Sequence, residues 1–228
     1  MPAPPAEYCP VSIGASLLAD RWSLLIVREV MVGSYQFNAI LRGLPGLARS
    51  LLATRLRHLE RLGVLTRVPV GTGKSHEYRL TPAGEDLHEL IYALGRWTVR
   101  WWFPEPHPDQ IDNALLLWRM RAGIKHPLPQ PRTTLRFDFT DGEVRRGWLV
   151  ATTAETSVCL HDPGFEADLI VTGPGSTWHQ IWYGHQPLTQ AITTGTITID
   201  GPTKLARAFP KWFSLSPFAP DVTTRHDS

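Results

Sequence analysis

Apolar positions recur at helical spacing through most of the first hundred residues and give way afterwards to alternating and short apolar runs. From Val11 to Val32 the set Leu17, Leu18, Leu24, Leu25, Val27 and Val30 fits two short helices, with Asp20 suited to cap the second, which Trp22 enters. Ser34 is placed to cap a third helix carrying Phe37, Ile40 and Leu41, which stops at the turn Gly43-Leu44-Pro45-Gly46. From Arg49 to Leu62 the stripe Leu52, Leu56, Leu59 and Leu62 predicts a helix that buries leucines and leaves Arg49, Ser50, Ala53, Thr54, Arg57 and Arg61 to solvent. Gly63 ends it. Val64 to Val70 and Ser75 to Leu80 read as strands joined by Gly71-Thr72-Gly73-Lys74, a hairpin. Thr81-Pro82 then starts a long helix whose broad apolar stripe, Leu87, Leu90, Ile91, Leu94, Thr98, Trp101 and Trp102, exceeds what a small domain buries alone. A dimer interface on this helix is the expectation; packing within the chain is the alternative.

Phe103 to Pro108 places three prolines in five positions, a stiff linker that no helix or central strand crosses. The boundary predicts one domain over residues 1–103 and a second over 109–220. In the second, Asp112 to Ile124 reads as helix, and Leu135, Phe137 and Phe139 alternate as one face of a strand that turns at Asp141-Gly142 toward Arg146 to Val150. Strands near Ser157 to Leu160, Leu169 to Thr172 and Thr196 to Ile199 extend the sheet. Helices over Ser176 to Tyr183, Leu188 to Ile192 and Thr203 to Phe213 should cover it, while Met1 to Ala6 and Asp221 to Ser228 read as frayed. Pro127 to Pro131 is expected to be a loop.

Composition narrows the partners. Of 228 residues 43% are hydrophobic and 19% charged, enough apolar surface for cores. No apolar run nears the roughly 18 residues of a membrane-spanning helix, and Met1 to Glu7 lacks an export signal, so a cytoplasmic, nucleoid-associated protein with no membrane partner is expected. Cys9 and Cys159 stand 150 positions apart and form neither a disulfide framework nor a metal cluster. The formal net charge of +2 hides a division: residues 1–103 hold 12 basic and 8 acidic residues, the remainder 11 and 13. Between Arg42 and Arg79, eight basic residues face Glu60 and Glu77 alone, which points to a polyanion.

Two helices joined by a tight turn, the second exposing Arg, Ser and Thr, have the layout of a major-groove reader. Arg can donate two hydrogen bonds to guanine, and small Ala53 permits close approach or contact with a thymine methyl. The DNA-contacting residues are therefore expected to be Arg49, Ser50, Ala53, Thr54 and Arg57, with Arg67, Lys74 and Arg79 on a basic wing that reaches phosphates or the minor groove.

The stretches Cys9-Pro10-Val11, Asp20 to Ile26, Phe37 to Ile40, Leu44 to Leu47, Leu51 to Glu60 and Tyr78 to Gly84 resemble the HxlR family of winged-helix transcription regulators, from Cys9 to about Trp97. The resemblance implies a homodimer on near-palindromic double-stranded promoter DNA. Ala48 departs from it where a Ser or Thr cap is common, and Gln36 where a basic residue is common. Some members use an N-terminal cysteine as a redox sensor; for Cys9 a small apolar residue at a helix start is the alternative.

In the second half, Ala167 to Gly173, Ile181 to Gly184 and Thr194 to Pro202 resemble the sterol carrier protein type 2 fold over about Asp112 to Phe213. That implies a sheet and helices enclosing an apolar tunnel for a fatty-acyl or other apolar small molecule, with Phe137, Trp148, Trp178, Trp182 and Phe213 as lining candidates; the same aromatics can simply fill a core. His161, Asp162, Asp168, His179, His185 and Asp200 match no metal spacing, nucleophile elbow or phosphate loop, so neither catalysis, metal nor cofactor is expected. Asp168 is suited to a buried hydrogen-bond network. The whole reads as a mainly α winged helix-turn-helix domain joined to an α+β sterol-carrier-like domain: a transcriptional regulator, expected to repress. The alternatives are a thiol switch at Cys9 or a lipid carrier with a vestigial winged helix.

Overall fold

The computed structural model describes residues 8–71, 75–125, 128 and 130–226. The chain divides into two compact units, Met1–Leu94 and Gly95–Ser228.

The first unit runs α1 (Pro10–Leu18), α2 (Ser23–Met31), α3 (Phe37–Arg42), α4 (Arg49–Arg61), β1 (Leu65–Pro69), β2 (His76–Leu80) and α5 (Pro82–Glu85), and α6 (Leu87–Trp102) leaves it. Asp20 caps α2 as expected: its Oδ1 accepts from the Trp22 and Ser23 amides at 2.9 and 3.0 Å. Ser34 does not cap α3. The helix begins after Gln36 without a side-chain cap, and the buried Ser34 hydroxyl is instead spent on Glu29 Oε2 at 3.3 Å. Thr81 does cap at Pro82, accepting from the Gly84 amide at 3.2 Å, but the long helix is interrupted at Asp86 into short α5 and sixteen-residue α6.

Leu52, Leu56 and Leu59 of α4 are buried with Ile26, Val27 and Ile40 in one core, each side chain contributing on the order of 1.5–3 kcal/mol. Leu62, at the helix end, is half-buried. Gly63 takes φ +70°, and the Val64 amide reaches back to the Leu59 carbonyl at 3.0 Å, a paired arrangement that stops α4 and aims the chain into β1. Strands β1 and β2 pair antiparallel from Leu65 opposite Leu80 to Pro69 opposite His76. The Tyr78 amide donates to the Tyr35 carbonyl at 2.8 Å, so the hairpin is held to the start of α3.

The second unit begins inside α6 and continues with α7 (Asn113–Met120), β3 (Arg132–Phe139), β4 (Arg146–Thr152), β5 (Thr156–Cys159), β6 (Leu169–Gly173), α8 (Gly175–Tyr183), α9 (Leu188–Thr193), β7 (Thr198–Asp200), α10 (Thr203–Ala208) and α11 (Ala219–His226). The strand order is β5-β4-β3-β6-β7, with β3 and β6 parallel and the other pairs antiparallel. Asp112 caps α7 through the Leu115 amide at 2.9 Å. Asp141 does more than turn the chain: its carboxylate accepts from the Gly175 and Ser176 amides and the Ser176 hydroxyl, capping α8. Asp168 joins a local network, accepting from the Thr134 amide at 2.7 Å. The segment after Asp221 is no frayed end among the described residues; α11 buries Val222, and the Thr223 hydroxyl donates to the Gly184 carbonyl at 3.0 Å. Residues 1–6, read as frayed, lie outside the described residues.

Candidate nucleic-acid interface

Helix α4 presents a polar face because its leucines consume every third or fourth position. Arg49, Ser50, Thr54 and Arg57 are exposed and Ala53 is half-buried between them. The face is internally organised. Thr54 Oγ1 donates to the Ser50 carbonyl at 3.0 Å, and Arg57 Nη2 donates to Thr54 Oγ1 at 3.2 Å. Ala48 is the N-cap in extended conformation and offers no side-chain oxygen, so the first-turn amides of α4 have no cap. Arg55, on the inner side, pairs with Asp20 at 3.3 Å and fixes α4 against the entry of α2.

Arg49 is oriented by groups that the sequence did not single out for this role. Its Nη1 donates to Asn38 Oδ1 at 3.1 Å, and its guanidinium lies 5.1 Å from the centre of the Phe37 ring. Both partners sit at the start of α3, eleven and twelve positions upstream, so no local spacing rule announces them.

The wing cations are placed differently from one another. Arg67 faces outward on β1, 2.6 Å from the His76 ring and 3.8 Å from Glu60. Arg79 is half-buried; its guanidinium stacks 3.5 Å from the Tyr35 ring centre and is paired with Glu77. Part of the charge on both is thus neutralised, on Arg67 by Glu60 of α4 and on Arg79 by Glu77 of the wing. Lys74, expected at the hairpin tip, lies outside the described residues, which resume where the Val70 amide meets the Ser75 carbonyl at 3.0 Å.

Cys9 is half-buried at the N-cap of α1, where its carbonyl accepts from the Ile13 amide at 2.9 Å. On α6, Leu90, Leu94, Trp97 and Trp101 are all about half exposed at four-three-four spacing, while Ile91 and Val99 are buried. That spacing forms one continuous apolar seam along the helix.

In the second unit, Phe137, Trp178, Trp182 and Phe213 are brought together in the hydrophobic core, and Trp148 is buried on β4. The Phe137 and Trp178 rings meet edge to face at 5.4 Å, and Phe209 meets Phe213 edge to face at 5.0 Å. Trp178 Nε1 is buried without a hydrogen-bond partner among the described residues. His179 is buried on α8 with Nδ1 2.8 Å from the Gly175 carbonyl; burial is the largest influence on it and holds its pKa below the usual imidazole value. No metal-holding group of His, Cys, Asp or Glu exists among the described residues, and no single helix among them is long and apolar enough to cross a membrane.

Two helices with a shared leucine core, a wing held to the first of them, and a separate sheet-and-helix unit define a winged helix-turn-helix protein with an appended α+β domain. The profile of the HxlR-like helix-turn-helix matches residues 17–106, and that of the SCP-2 sterol transfer family residues 127–214. The chain belongs to the HxlR family. It is 34% identical over 93 residues to the HTH-type transcriptional regulator YtfH of Escherichia coli, covering 40% of this chain and 74% of that protein. It is 44% identical over 89 residues to an HTH-type transcriptional regulator of Mycobacterium tuberculosis, covering 38% of this chain and 56% of the relative's length. Among solved structures, the reduced form of the transcriptional regulator YodB from Bacillus subtilis matches 44% of this chain and all of its own, with 29% identity and a TM-score of 0.37.

Proposed function

We propose that the protein is a homodimeric DNA-binding transcriptional regulator in which α4 reads the major groove, the β1-β2 hairpin contacts the backbone or minor groove, and the second unit responds to a small molecule. The observation that carries this reading is the face of α4: Arg49, Ser50, Thr54 and Arg57 exposed around half-buried Ala53, on a helix anchored by three buried leucines. A rigid helix with a small residue at its centre and bidentate donors beside it suits base edges. The names of the relatives, HTH-type transcriptional regulators, support the same assignment.

The seam on α6 supports the dimer. Four large apolar side chains in one seam are costly to leave in water, and a second copy of the same helix related by a two-fold axis would cover them. The test of function is binding to the protein's own upstream DNA against a scrambled duplex at physiological salt. A preference of roughly a thousandfold or more is expected. Equal weak binding to both, followed by an empty genome-wide selection of bound fragments, would remove the reading.

A further inference from the structure

The second unit holds a cavity of about 290 Å³ where the chain leaves α6. Its apolar wall comes from Trp102 at the helix end, Pro104 and Pro106 of the linker, Leu115 and Leu116 on α7, and Tyr183 at the end of α8. The volume approaches the lower limit of small-molecule sites. None of the five aromatics expected to line a ligand tunnel belongs to this wall, so the cavity is distinct from a tunnel built on them.

Trp102 is the informative wall residue. It is 70% exposed, and among the described residues its indole has no ring contact, ion pair or hydrogen bond. It stands eleven positions after buried Ile91 and seven after Gly95, which places it on their face of α6 and off the seam formed by Leu90, Leu94, Trp97 and Trp101. A second copy seated on the seam therefore leaves this indole to the cavity. The polar groups of the wall are few. Tyr183 packs its ring edge to face on Phe103 at 5.3 Å, and its hydroxyl has no hydrogen-bond partner among the described residues. Gln110 Oε1 accepts from the His107 amide at 2.8 Å, which leaves the NH2 group of the same side chain. Arg119 also lines the space but is engaged in interactions of its own, and His179, its Nδ1 2.8 Å from the Gly175 carbonyl, is kept neutral by burial, so neither is held in reserve for an ionised ligand.

We propose that this cavity binds a small neutral planar aromatic compound carrying one hydroxyl group, its rings against Trp102 and its hydroxyl shared between Tyr183 and Gln110. A phenolic hydroxyl both donates and accepts, which suits a tyrosine hydroxyl beside an amide NH2. A flat ring gains from the indole what an aliphatic body of equal size does not. The proposal rests on the reading of the second unit as one that responds to a small molecule, and it names the ligand class. Trp102 is the last residue of α6, so a bound ligand holds the end of the helix whose seam is assigned to the dimer, and it changes DNA affinity to the extent that it binds the two dimer geometries unequally.

The experiment titrates the full-length protein calorimetrically at neutral pH with 1-naphthol and with decahydro-1-naphthol, which keeps the size and the hydroxyl and removes the flat rings. The naphthol is expected to bind about three- to ten-fold tighter, the scale of one aromatic contact. Trp102→Leu should erase that preference, and because the indole is exposed the melting temperature should stay nearly unchanged. Tyr183→Phe, which keeps the ring on Phe103, should weaken naphthol about five-fold, the scale of one hydrogen bond. Equal affinity for the two probes in the wild-type protein, undiminished preference in Trp102→Leu, or no binding at millimolar naphthol would each overturn the site. Sequence-specific DNA binding without naphthol affinity would remove the cavity proposal and leave the regulator standing. Naphthol preferred through Trp102 by a protein that prefers no DNA sequence would uphold the cavity and refute the regulator.

Discussion

Asp20 and Arg55 join two helices through one carboxylate: the same Oδ1 that caps α2 lies 3.3 Å from the guanidinium of α4. The orientation of α4 is thereby tied to a cap 35 residues upstream. Asp20→Ala should cost about 1–2 kcal/mol, the value of a cap with part of an ion pair, measured as a shift in the urea midpoint at unchanged slope. Asp20→Asn retains an oxygen for the cap and should recover most of it. An alanine variant as stable as wild type would show that α2 does not need this cap.

The two cap carboxylates also set the acid limit of the fold. For Asp20 and Asp141 burial alone would raise the pKa, but the hydrogen bonds they accept, led by Ser23 and Ser176, outweigh it and hold each below 3.8. A carboxyl depressed in the folded state contributes stability that is complete above the unfolded value and disappears as pH falls through the folded one. Thermal melts should therefore stay level with respect to these groups above pH about 5 and decline below pH about 4. The double variant Asp20→Asn, Asp141→Asn should decline less; an identical acid limb would assign the loss elsewhere.

His179 acts higher on the pH scale and with a related sign. Its burial favours the neutral ring, so the unfolded chain binds the extra proton first, and stability falls as pH drops below the ordinary imidazole value of about 6.5. His179→Gln should flatten the stability difference between pH 7.5 and 5.5, about one unit to either side of that value, in chemical denaturation. A slope equal to that of wild type would locate the titration at another histidine.

Arg49 and Arg57 should fail in different ways. Arg49, near the start of α4 and held by Asn38, is expected to read a base: Arg49→Ala relaxes specificity at one operator position and costs about 1–3 kcal/mol there. Arg57, two turns further on, is expected at phosphate, so Arg57→Ala weakens all duplexes alike and flattens the salt slope by about one unit. Binding curves over a range of salt distinguish the two, and an unchanged affinity and slope for Arg57→Ala would remove it from the interface.

Leu94→Glu tests the seam without touching the core, since this side chain is 48% exposed. Sedimentation should show a dimer for wild type and a 25.6 kDa monomer for the variant, with helical content retained. A dimeric variant would place the interface elsewhere.

What was legible in the sequence was local. The leucine stripe of α4, its glycine stop, the Thr81-Pro82 start and the alternation of β3 are set by neighbours within four residues, and each stands in the structure. What was hidden depends on partners brought from afar. Asp141 looked like a turn residue because the helix it caps begins 34 positions later. Ser34 looked like a cap because nothing nearby shows that Glu29 takes its hydroxyl. Helix α11 carries one deeply buried valine in a polar stretch, too little periodicity to distinguish it from a loose end. At the interface, residue types on α4 could be read directly, whereas the support of Arg49 by Asn38 and the partial neutralisation of Arg79 by Glu77 needed three dimensions.

Gly95, in the middle of α6, gives up about 1 kcal/mol of helix propensity, and a methyl group there would overlap the Phe218 ring. The first residue of the second unit is thus seated against one of its last. During synthesis the first unit, whose core closes by Ile91, has all its parts as soon as they clear the ribosome, while the second unit must wait for Phe218 before its opening helix turn finds its cover. A truncated product of translation would therefore carry a closed first core on an unfinished second unit.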